Sequence, residues 1–484
     1  MLTITKICSK YFMILSIIFY ISSLGCKKFV DIDPPVTDLT TLSAFKEDNT
    51  AIAVMTGHFA SLSNNDLAFT NFTGISRFTG LSSDELKLWE GVSDAKQIGY
   101  FTNDLFSHQG ASAGDEYWPY TEIYACNTII EGVSNSDGLS AAVKNQLLGE
   151  AKFMRASYFL NLANLYGDIP MPTSTVVKVN IQLSRTPKKQ VYEQIIKDLK
   201  EAEALLSPEY LNGGLKKYSS APERVRPTSW AASALLARVY LYNEEWSNAE
   251  LTSSKLISNN GLFGLEPLND VFKKDSREAI WQLQTVYTGM NTGDGGFFIL
   301  SSFGLSEYNP VYLSSFMLNA FEPGDSRAVP GNWVDKTVIS GTTYYYPFKY
   351  KLSYGSTQGA EYIMMLRLGE QYLIRAEARA KLENVNGARE DLFVIRRRAG
   401  LADATLTAND QNSLLTAVMH ERQVELFTEW GHRWFDLKRT GKVDAVMSVV
   451  TPTKGGTWQS TDQLYPLPFR DLQRDRNLTQ NPGY

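Results

Sequence analysis

Three glutamates in the C-terminal part of the chain are the most concentrated set of side chains that could carry out acid–base chemistry. In the string ERQVELFTEWGHRWFDLKR, Glu421, Glu425 and Glu429 follow one another at intervals of four, so they would share one face of a helix. A glycoside hydrolase needs two carboxylates about 5 to 10 Å apart. The same string, however, carries four basic side chains: Arg422, Arg433, Lys438 and Arg439. We therefore predict a structural ion-pair network rather than a catalytic pair.

Signatures of metal and phosphate chemistry are missing from the sequence. The four histidines, at positions 58, 108, 420 and 432, do not have the spacing of metal ligands. The chain contains no HExxH motif, no paired CxxC, no EF-hand loop and no phosphate-binding loop. We predict a protein that is not an enzyme, that uses no cofactor and that has no recognisable metal-ligating residues; the sequence leaves open whether it binds a structural metal ion.

The N-terminal residues resemble a secretory leader that ends at Cys26. Lys6 and Lys10 form a basic region, and the 14 uncharged residues Tyr11 to Leu24 are fewer than the roughly 20 that a spanning helix needs. The residues SSLG before Cys26 resemble a bacterial lipobox, although a serine stands where an aliphatic residue is usual. We predict that residues 1–25 are a lipoprotein signal peptide and that Cys26 carries the lipid. A simple secretory signal and a cytosolic protein with an unusual N-terminus are the alternatives.

Composition narrows the class of protein. Of the 484 residues, 43% are hydrophobic and 20% charged, which is the balance of a globular protein rather than a disordered one. The net charge of −5 argues against nucleic acid as a partner. The one basic cluster, Arg396 to Arg398, is read as the end of a helix, where cations complement the dipole. Once the leader is removed, Cys126 is the one thiol left without a modification, so the sequence predicts no disulfide framework.

The predicted elements are mostly helices. Apolar residues at intervals of three and four indicate one helix over about 144–166 and a second over about 188–206. Gly167 to Pro170 would end the first helix. We predict a helical hairpin whose two helices are joined by a long loop that contains proline.

Two later segments share one pattern. Residues 233–257 and 372–396 each place small residues on a helix, then a short polar turn, then an alanine 12 positions after the first: Ala237 to Ala249, and Ala376 to Ala388. This spacing is typical of tetratricopeptide repeats, in which two helices approach closely at small side chains. The tandem period of 34 residues is absent, so we predict dispersed helical pairs. Chance similarity between two amphipathic helices is the alternative.

The segment from about 262 to 360 is predicted to be irregular and rich in aromatic residues. From Trp281 to Tyr354, 16 of 74 residues are aromatic, and helical periodicity fades apart from a strand-like run at 279–287. Aromatic rings on irregular backbone can cover the apolar face of a sugar. The simpler alternative is that most of these rings fill a core under long loops.

Four rings and two polar neighbours are the candidate ligand-binding residues. Trp89 is included because it follows an acidic loop and lies outside any helical stripe, and an exposed tryptophan is unusual without a function. The full set is Trp89, Tyr287, Tyr308 and Trp333, with Arg77 and Asp84 as polar neighbours.

Several strings together resemble the SusD/RagB family of nutrient-uptake lipoproteins. They are CKKFVDIDPP after the leader, GEAKFMRASYFLNLANLYGDIPM, RLGEQYLIRAEARAKLENVNGAREDLFVIRRRAGL, ERQVELFTEWGHRWFDLKRTGK, and YPLPFRDLQRDRNLTQNPGY at the C-terminus. They occur in the family's order and extend over nearly the whole chain.

The resemblance implies a mainly all-α fold, in which tetratricopeptide-like helical pairs form a right-handed superhelical scaffold with an irregular, loop-rich, ligand-facing part. It implies surface exposure on the outer membrane through acylated Cys26. It also implies association with a SusC-like TonB-dependent β-barrel, and binding of oligosaccharides or peptides without cleavage. The recognised strings belong to the scaffold, so they transfer no ligand-binding residue.

The predicted organisation is a signal peptide over 1–25, an N-terminal part with helical pairs over 26–261, and a C-terminal part over 262–484. We expect the last two to form one compact unit after processing. A non-catalytic nutrient-binding lipoprotein is the favoured function. A periplasmic interaction scaffold and a glycoside hydrolase are the alternatives.

Overall fold

The computed structural model describes residues 44–67, 74–107, 117–286, 291–353 and 359–484. Chain contacts separate Met1–Ala44 from a second unit, Phe45–Tyr484, which is mainly helical as the sequence predicts. Its helices are α1 (Asp48–Leu67), α2 (Gly74–Ser82), α3 (Ala95–Thr102), α4 (Tyr120–Ser134), α5 (Ala141–Tyr166), α6 (Val177–Asn180), α7 (Lys188–Leu205), α8 (Ser229–Tyr242), α9 (Trp246–Ile257), α10 (Gly293–Phe298), α11 (Ser315–Ala320), α12 (Leu368–Lys381), α13 (Val385–Arg398), α14 (Gln411–Glu425), α15 (His432–Arg439), α16 (Val443–Thr453) and α17 (Phe469–Arg474). Over the described ranges, no helix combines the length and the apolar character needed to cross a membrane.

The long helices pack as neighbouring pairs that form a helical scaffold. Helix α5 packs between α4 and α7, α8 packs against α7 and α9, and α12 packs against α9, α13 and α14. The four alanines of the predicted close contacts are fully buried: Ala237, Ala249, Ala376 and Ala388. A methyl side chain lets two helix backbones approach closely, so the predicted helical pairs are confirmed.

The predicted hairpin is also confirmed, with boundaries close to those expected from the sequence. Helix α5 ends at Gly167, which has a positive φ of 77° and donates its N–H to the carbonyl of Ala163 at 3.1 Å. A left-handed conformation suits glycine because it has no Cβ. Residues 169 and 186 form an antiparallel bridge that closes the loop between α5 and α7.

Six short strands form three two-stranded antiparallel sheets in the described part of the chain. They are β1 (Leu86–Leu88), β2 (Ala279–Leu283), β3 (Val311–Leu313), β4 (Val334–Ile339), β5 (Thr342–Pro347) and β6 (Ile363–Arg367). The pairs are β1–β3, β2–β6 and β4–β5. The strand-like run at 279 is therefore confirmed as β2. A two-residue turn at Ser340 and Gly341, with φ values of 50° and 83°, joins β4 to β5.

A strained turn between α14 and α15 connects distant parts of the chain. Thr428, Trp430 and Gly431 all have positive φ, at 54°, 49° and 76°. The backbone N–H of Trp430 donates to Ser76 Oγ on α2 at 2.9 Å, and its indole N–H donates to the carbonyl of Met364 on β6 at 2.7 Å. These two bonds hold α2, the helix that precedes β1, against the C-terminal part of the chain.

Candidate functional site

The β1–β3 ribbon presents one buried face and one outer face. Leu86 and Leu88 are buried and pair with Leu313 and Val311, whereas the pair between them, Lys87 and Tyr312, lies on the opposite face. Because side chains alternate along a strand, the residue after Leu88 returns to the outer face. That residue is Trp89, whose side chain is half-buried.

Four further aromatic rings surround or extend this outer face. Tyr344 on β5 makes an edge-on contact with Tyr312, with ring centroids 5.1 Å apart. In the loop before β3, the side chains of Phe303 and Tyr308 are 94% and 82% exposed. We call Trp89, Phe303, Tyr308, Tyr312 and Tyr344 the aromatic rim. Exposed large rings are costly in water, so such a group is a candidate contact surface for a ligand.

Backbone and side-chain contacts fix the rim. The N–H of Trp89 donates to the carbonyl of Pro310 at 2.7 Å, which joins the two sides of the ribbon. Glu307 Oε1 accepts hydrogen bonds from the backbone N–H and the hydroxyl of Ser93, both at 3.2 Å. The Trp89 ring lies over Gly91, where an added Cβ would be 2.3 Å from the ring. The position of Trp89 therefore depends on the absence of a side chain at Gly91.

A buried group of charges supports β1 from below. Asp84 forms a bidentate ion pair with Arg433, at 2.6 and 2.8 Å. Lys454 donates to the backbone carbonyls of Leu81, Ser82 and Ser83 at the end of α2.

Two groups beneath β1 have pKa values near neutrality. Burial, reinforced by repulsion from Asp84, raises the pKa of Glu85 to about 8. Burial also lowers the pKa of Lys454 to about 7, although attraction to Asp84 opposes this. Glu85 Oε1 accepts the backbone N–H of Thr428 at 3.2 Å. The residue that leads into β1 is thus a largely neutral carboxyl group at neutral pH.

Trp333, one of the four predicted rings, lies in the core. Its side chain is fully buried, and its indole N–H donates to the carbonyl of Leu268 at 2.8 Å. Lys349 Nζ is 4.7 Å from its ring centroid, and the guanidinium carbons of Arg398 and Arg367 are 5.3 and 5.6 Å away. The prediction that this ring stacks on a ligand is wrong, because protein groups cover its faces.

The two predicted polar neighbours also make internal contacts. Asp84 is buried, and its carboxylate is engaged by Arg433, so it is a structural group rather than a ligand contact. Arg77 is half-buried, with its guanidinium carbon 4.7 Å from the ring centroid of Phe297 and 5.4 Å from that of Phe78. Arg77 therefore packs over aromatic rings on α10 and on its own helix. Its placement as a ligand contact stays a prediction.

The remaining predicted site residues fall into two groups. Trp89 and Tyr308 both belong to the rim, and the structure brings the segments that carry them together. Tyr287 and the lipid-attachment residue Cys26 lie outside the described residues.

Sequence reasoning missed three rim residues: Phe303, Tyr312 and Tyr344. For Tyr312 a signal was present, because VYL and LKLW both alternate apolar residues with a residue of another type, as half-buried strands do. For Phe303 and Tyr344 no local pattern distinguishes an exposed ring from a buried one.

The three glutamates form the ion-pair network that the sequence predicts, but with different partners. Glu421 pairs with Arg327 at 2.6 Å and Glu429 with Lys349 at 2.5 Å, while Glu425 contacts Arg327, Arg367 and Arg398. Burial alone would raise the pKa of Glu425, but these guanidinium groups outweigh it and hold the pKa well below its ordinary value.

The basic residues that neighbour these glutamates in the sequence bind elsewhere. Arg422 and Arg439 pair with Asp436, Arg433 pairs with Asp84, and Lys438 donates to backbone carbonyls. Glu421 and Glu425 are fully buried, so a substrate has no access to them in this structure.

Two other kinds of reactive side chain, potential metal ligands and a cysteine beside a histidine, form no catalytic arrangement among the described residues. Within the described ranges, no group of three or more His, Cys, Asp or Glu side chains is placed to hold a metal ion. The Cys126 sulfur is 3.8 Å from His58 Nε2, but burial raises the pKa of the Cys126 thiol. Burial also lowers the pKa of His58 to about 4. A protonated thiol beside a neutral imidazole is a poor nucleophile.

The fold and the rim together define a scaffold of paired helices that carries aromatic rings on short strands and loops. Solved structures share this architecture. A SusD superfamily protein from Parabacteroides distasonis superposes with a TM-score of 0.75 at 22% identity, over 92% of this chain and 100% of its own. A laminarin-binding SusD-like protein superposes with a TM-score of 0.71 at 21% identity, over 91% of this chain and 100% of its own.

Family models and a relative agree with the structural similarity. A model described as the SusD family matches residues 320–484. Another, described as starch-binding and associating with the outer membrane, matches residues 93–241. SusD-like protein P25 of Formosa agariphila is 22% identical over 98% of this chain and 99% of its own length. The resemblance to the SusD/RagB family that the sequence shows is thus confirmed by two family models and by relatives that align with nearly the whole chain.

Proposed function

We propose that this protein is a non-catalytic lipoprotein of the outer membrane that binds an oligosaccharide, or a peptide, and delivers it to a SusC-like TonB-dependent transporter. Cys26 would carry the lipid. The observation that carries the proposal is the aromatic rim, in which Phe303 and Tyr308 are exposed and Trp89, Tyr312 and Tyr344 are half-buried. The family descriptions, starch-binding for one matched model and laminarin-binding for one structural neighbour, support a glycan as the ligand.

The rim has the chemistry to bind a sugar without cleaving it. Trp89 and Tyr312 lie on the outer face of the β1–β3 ribbon and can stack on the apolar faces of sugar rings. Lys87 lies on the same face, and Glu90 is exposed next to Trp89, so both can reach hydroxyl groups. The acidic cluster at 421–429, where a glycosidase pair was considered, is buried and neutralised by cations. This separation of the rim from the acidic cluster favours binding without hydrolysis.

Binding can be tested by affinity electrophoresis and calorimetry of the protein lacking residues 1–26, against a panel of polysaccharides and oligopeptides. Each good ring contact contributes on the order of 1 kcal/mol, so Trp89→Ala and Tyr312→Ala should each weaken glycan binding about fivefold. Trp246→Ala is the matched control, because Trp246 is a half-buried tryptophan on α9, outside the rim. Equal affinity of all three variants would exclude the rim as the binding surface.

The outcome of the same panel separates the ligand classes. Retardation by a glycan names the cargo, whereas binding of oligopeptides alone would assign the protein to peptide uptake. Incubation with the bound glycan should release no product. Appearance of shorter saccharides would contradict the non-catalytic function.

Location and partnership need two further measurements. Proteolysis of whole cells should digest the protein if it is exposed on the surface, and a periplasmic protein would be protected. Purification from outer membranes in mild detergent should recover a TonB-dependent barrel with it. Recovery of the protein alone would argue against delivery through such a barrel.

A further inference from the structure

A compact apolar patch lies on the loop between α5 and α7. Val176, Val177, Val179 and Ile181 are between 52% and 62% exposed; Val177 and Val179 lie on the single-turn helix α6, and Val176 and Ile181 flank it. Tyr124 on α4 is 49% exposed beside them and, with residues of this loop, lines an apolar hollow of about 220 Å³. Grouped exposed aliphatic side chains mark a contact surface, whereas single ones are normal.

Hydrogen bonds hold this loop rigidly against α4. The Thr175 N–H donates to Glu131 Oε1 at 2.8 Å, and Asn127 Nδ2 donates to the carbonyl of Pro172 at 3.0 Å. Asn180 Nδ2 donates to the carbonyl of Ser174 at 2.8 Å, which closes the turn. The aliphatic side chains are therefore presented in a fixed arrangement without further ordering of the chain.

The described chain begins beside this patch. The Phe45 ring packs on Gly132 of α4, where an added Cβ would be 2.2 Å from the ring, and Gly132 follows Glu131, the residue that binds Thr175. Only 17 residues separate Ala44 from Cys26, and such a segment spans at most about 60 Å when extended. A lipid on Cys26 would therefore hold this end of α4 within about 60 Å of a membrane surface.

The charge of the patch suits a lipid surface. The run VVKVNI, residues 176–181, contains one lysine and no acid. Its positive charge, on Lys178, would be attracted to anionic lipid headgroups. The carboxylate of Glu131 on α4 accepts hydrogen bonds from Thr175, directly before this run. The complete patch also lies within residues 93–241, the segment matched by the model described as associating with the outer membrane.

We propose that Val176, Val177, Val179 and Ile181 dock into the lipid surface next to the anchor and hold this end of the protein at the membrane. A lipid on Cys26 ties the protein to the membrane at one point of a long linker without setting its orientation, and a second, protein-borne contact would orient the anchored protein. This inference rests on the proposed lipid attachment at Cys26.

The test uses the acylated protein reconstituted into vesicles of phosphatidylethanolamine and phosphatidylglycerol. A Val177→Cys variant is labelled with an environment-sensitive fluorophore; Cys126 does not compete because it is buried and its thiol pKa is raised. We expect a blue shift on vesicle binding and loss of emission when nitroxide-labelled lipids are included. Leu251→Cys on α9, which is 72% exposed, is the control and should show neither change. Val179→Ser with Ile181→Ser should abolish the response of the Val177 label.

Three results would overturn the inference. An unchanged Val177 label on vesicle-bound protein would mean that the patch faces water. Shielding from an aqueous quencher before vesicles are added would mean that the chain itself covers the patch. Shielding in native outer membranes, without quenching by nitroxide lipids, would identify a protein partner instead.

Failure of the anchor is distinguishable from failure of the patch. Mass spectrometry reports whether Cys26 carries acyl chains. If it does not, a histidine tag in place of residues 1–26 tethers the same variants to vesicles with nickel-chelating lipids, at the same distance from Ala44. The Val177 label then tests the patch alone.

Discussion

Replacing Glu85 by glutamine should change how the stability of this protein depends on pH. Glu85 is buried directly before β1, next to Asp84. Burial, and to a smaller extent repulsion from the Asp84 carboxylate, raises the pKa of Glu85 from 4.5 to about 8. A carboxyl group whose pKa is raised on folding contributes stability that is fully present below pH 4.5 and is lost as the pH rises through 8. Glutamine has nearly the same shape and does not titrate.

The magnitude follows from the two pKa values. The difference between 4.5 and about 8 corresponds to roughly 5 kcal/mol of unfolding free energy, of which about 3 kcal/mol is lost by pH 7. Relative to the wild type, Glu85→Gln should gain about 1.4 kcal/mol for each pH unit across this range and then reach a plateau. The pH dependence of this stability difference is more informative than its absolute value, because the glutamine amide must also find hydrogen-bond partners for its two N–H groups.

Urea unfolding of both proteins between pH 5 and pH 9, followed by tryptophan fluorescence, measures this difference. Glu322→Gln is the control, since a hydrogen bond from Arg396 lowers the pKa of Glu322. That group titrates below this range, so its difference from wild type should stay constant. Parallel stability curves for wild type and Glu85→Gln would refute the interpretation of Glu85 as a buried neutral carboxyl group beneath the rim.

Three other substitutions test the network, the rim and the helical scaffold. Arg367→Met removes a partner of the buried carboxylates Glu425 and Glu429 and should lower the free energy of unfolding in urea by about 3 to 5 kcal/mol. The control, Arg397→Met, breaks an exposed pair with Asp403 and should lower it by less than about 1 kcal/mol. Equal losses would contradict the buried network. Gly91→Ala places a methyl group where the Trp89 ring lies. It should therefore weaken glycan binding about as much as Trp89→Ala does, while leaving the melting temperature nearly unchanged. Unaltered affinity in titration calorimetry would mean that the ligand binds elsewhere. Ala388→Leu inserts three carbons into the fully buried contact between α12 and α13 and should cost about 1 to 3 kcal/mol, and a neutral result would show that these helices are not closely packed at that position.

The helical scaffold was predictable because its signals are local. Apolar residues at intervals of three and four along 141–166 indicated a helix, although residues 153–160 are all buried, so packing encloses α5 on every side rather than on one face. Gly167 ends that helix through its own backbone freedom. The alanines at 237, 249, 376 and 388 indicated close helix contacts because only small side chains permit them. Likewise, three glutamates among so many basic residues predicted an ion-pair network.

The partners of that network were not predictable from the neighbouring sequence. Arg327 and Arg367 reach Glu425 from segments 98 and 58 residues away, whereas Arg422, the residue directly after Glu421, pairs with Asp436. On a helix, residues next to one another in sequence point about 100° apart, so sequence neighbours rarely share a partner. Only the packing of α13, α14 and β6 brings the charges together.

The sequence by itself determined the resemblance of this protein to the SusD/RagB family, its helical pairs and the abundance of aromatic residues between 281 and 354. Tertiary structure alone decided which rings are exposed. Trp333 is enclosed by Leu268 and three cations, while Trp89 reaches the surface because β1 pairs with a strand more than 200 residues later and alternation turns its side chain outward. Whether a ring is buried or exposed depends on long-range contacts, and the tryptophan residue itself is the same in both environments.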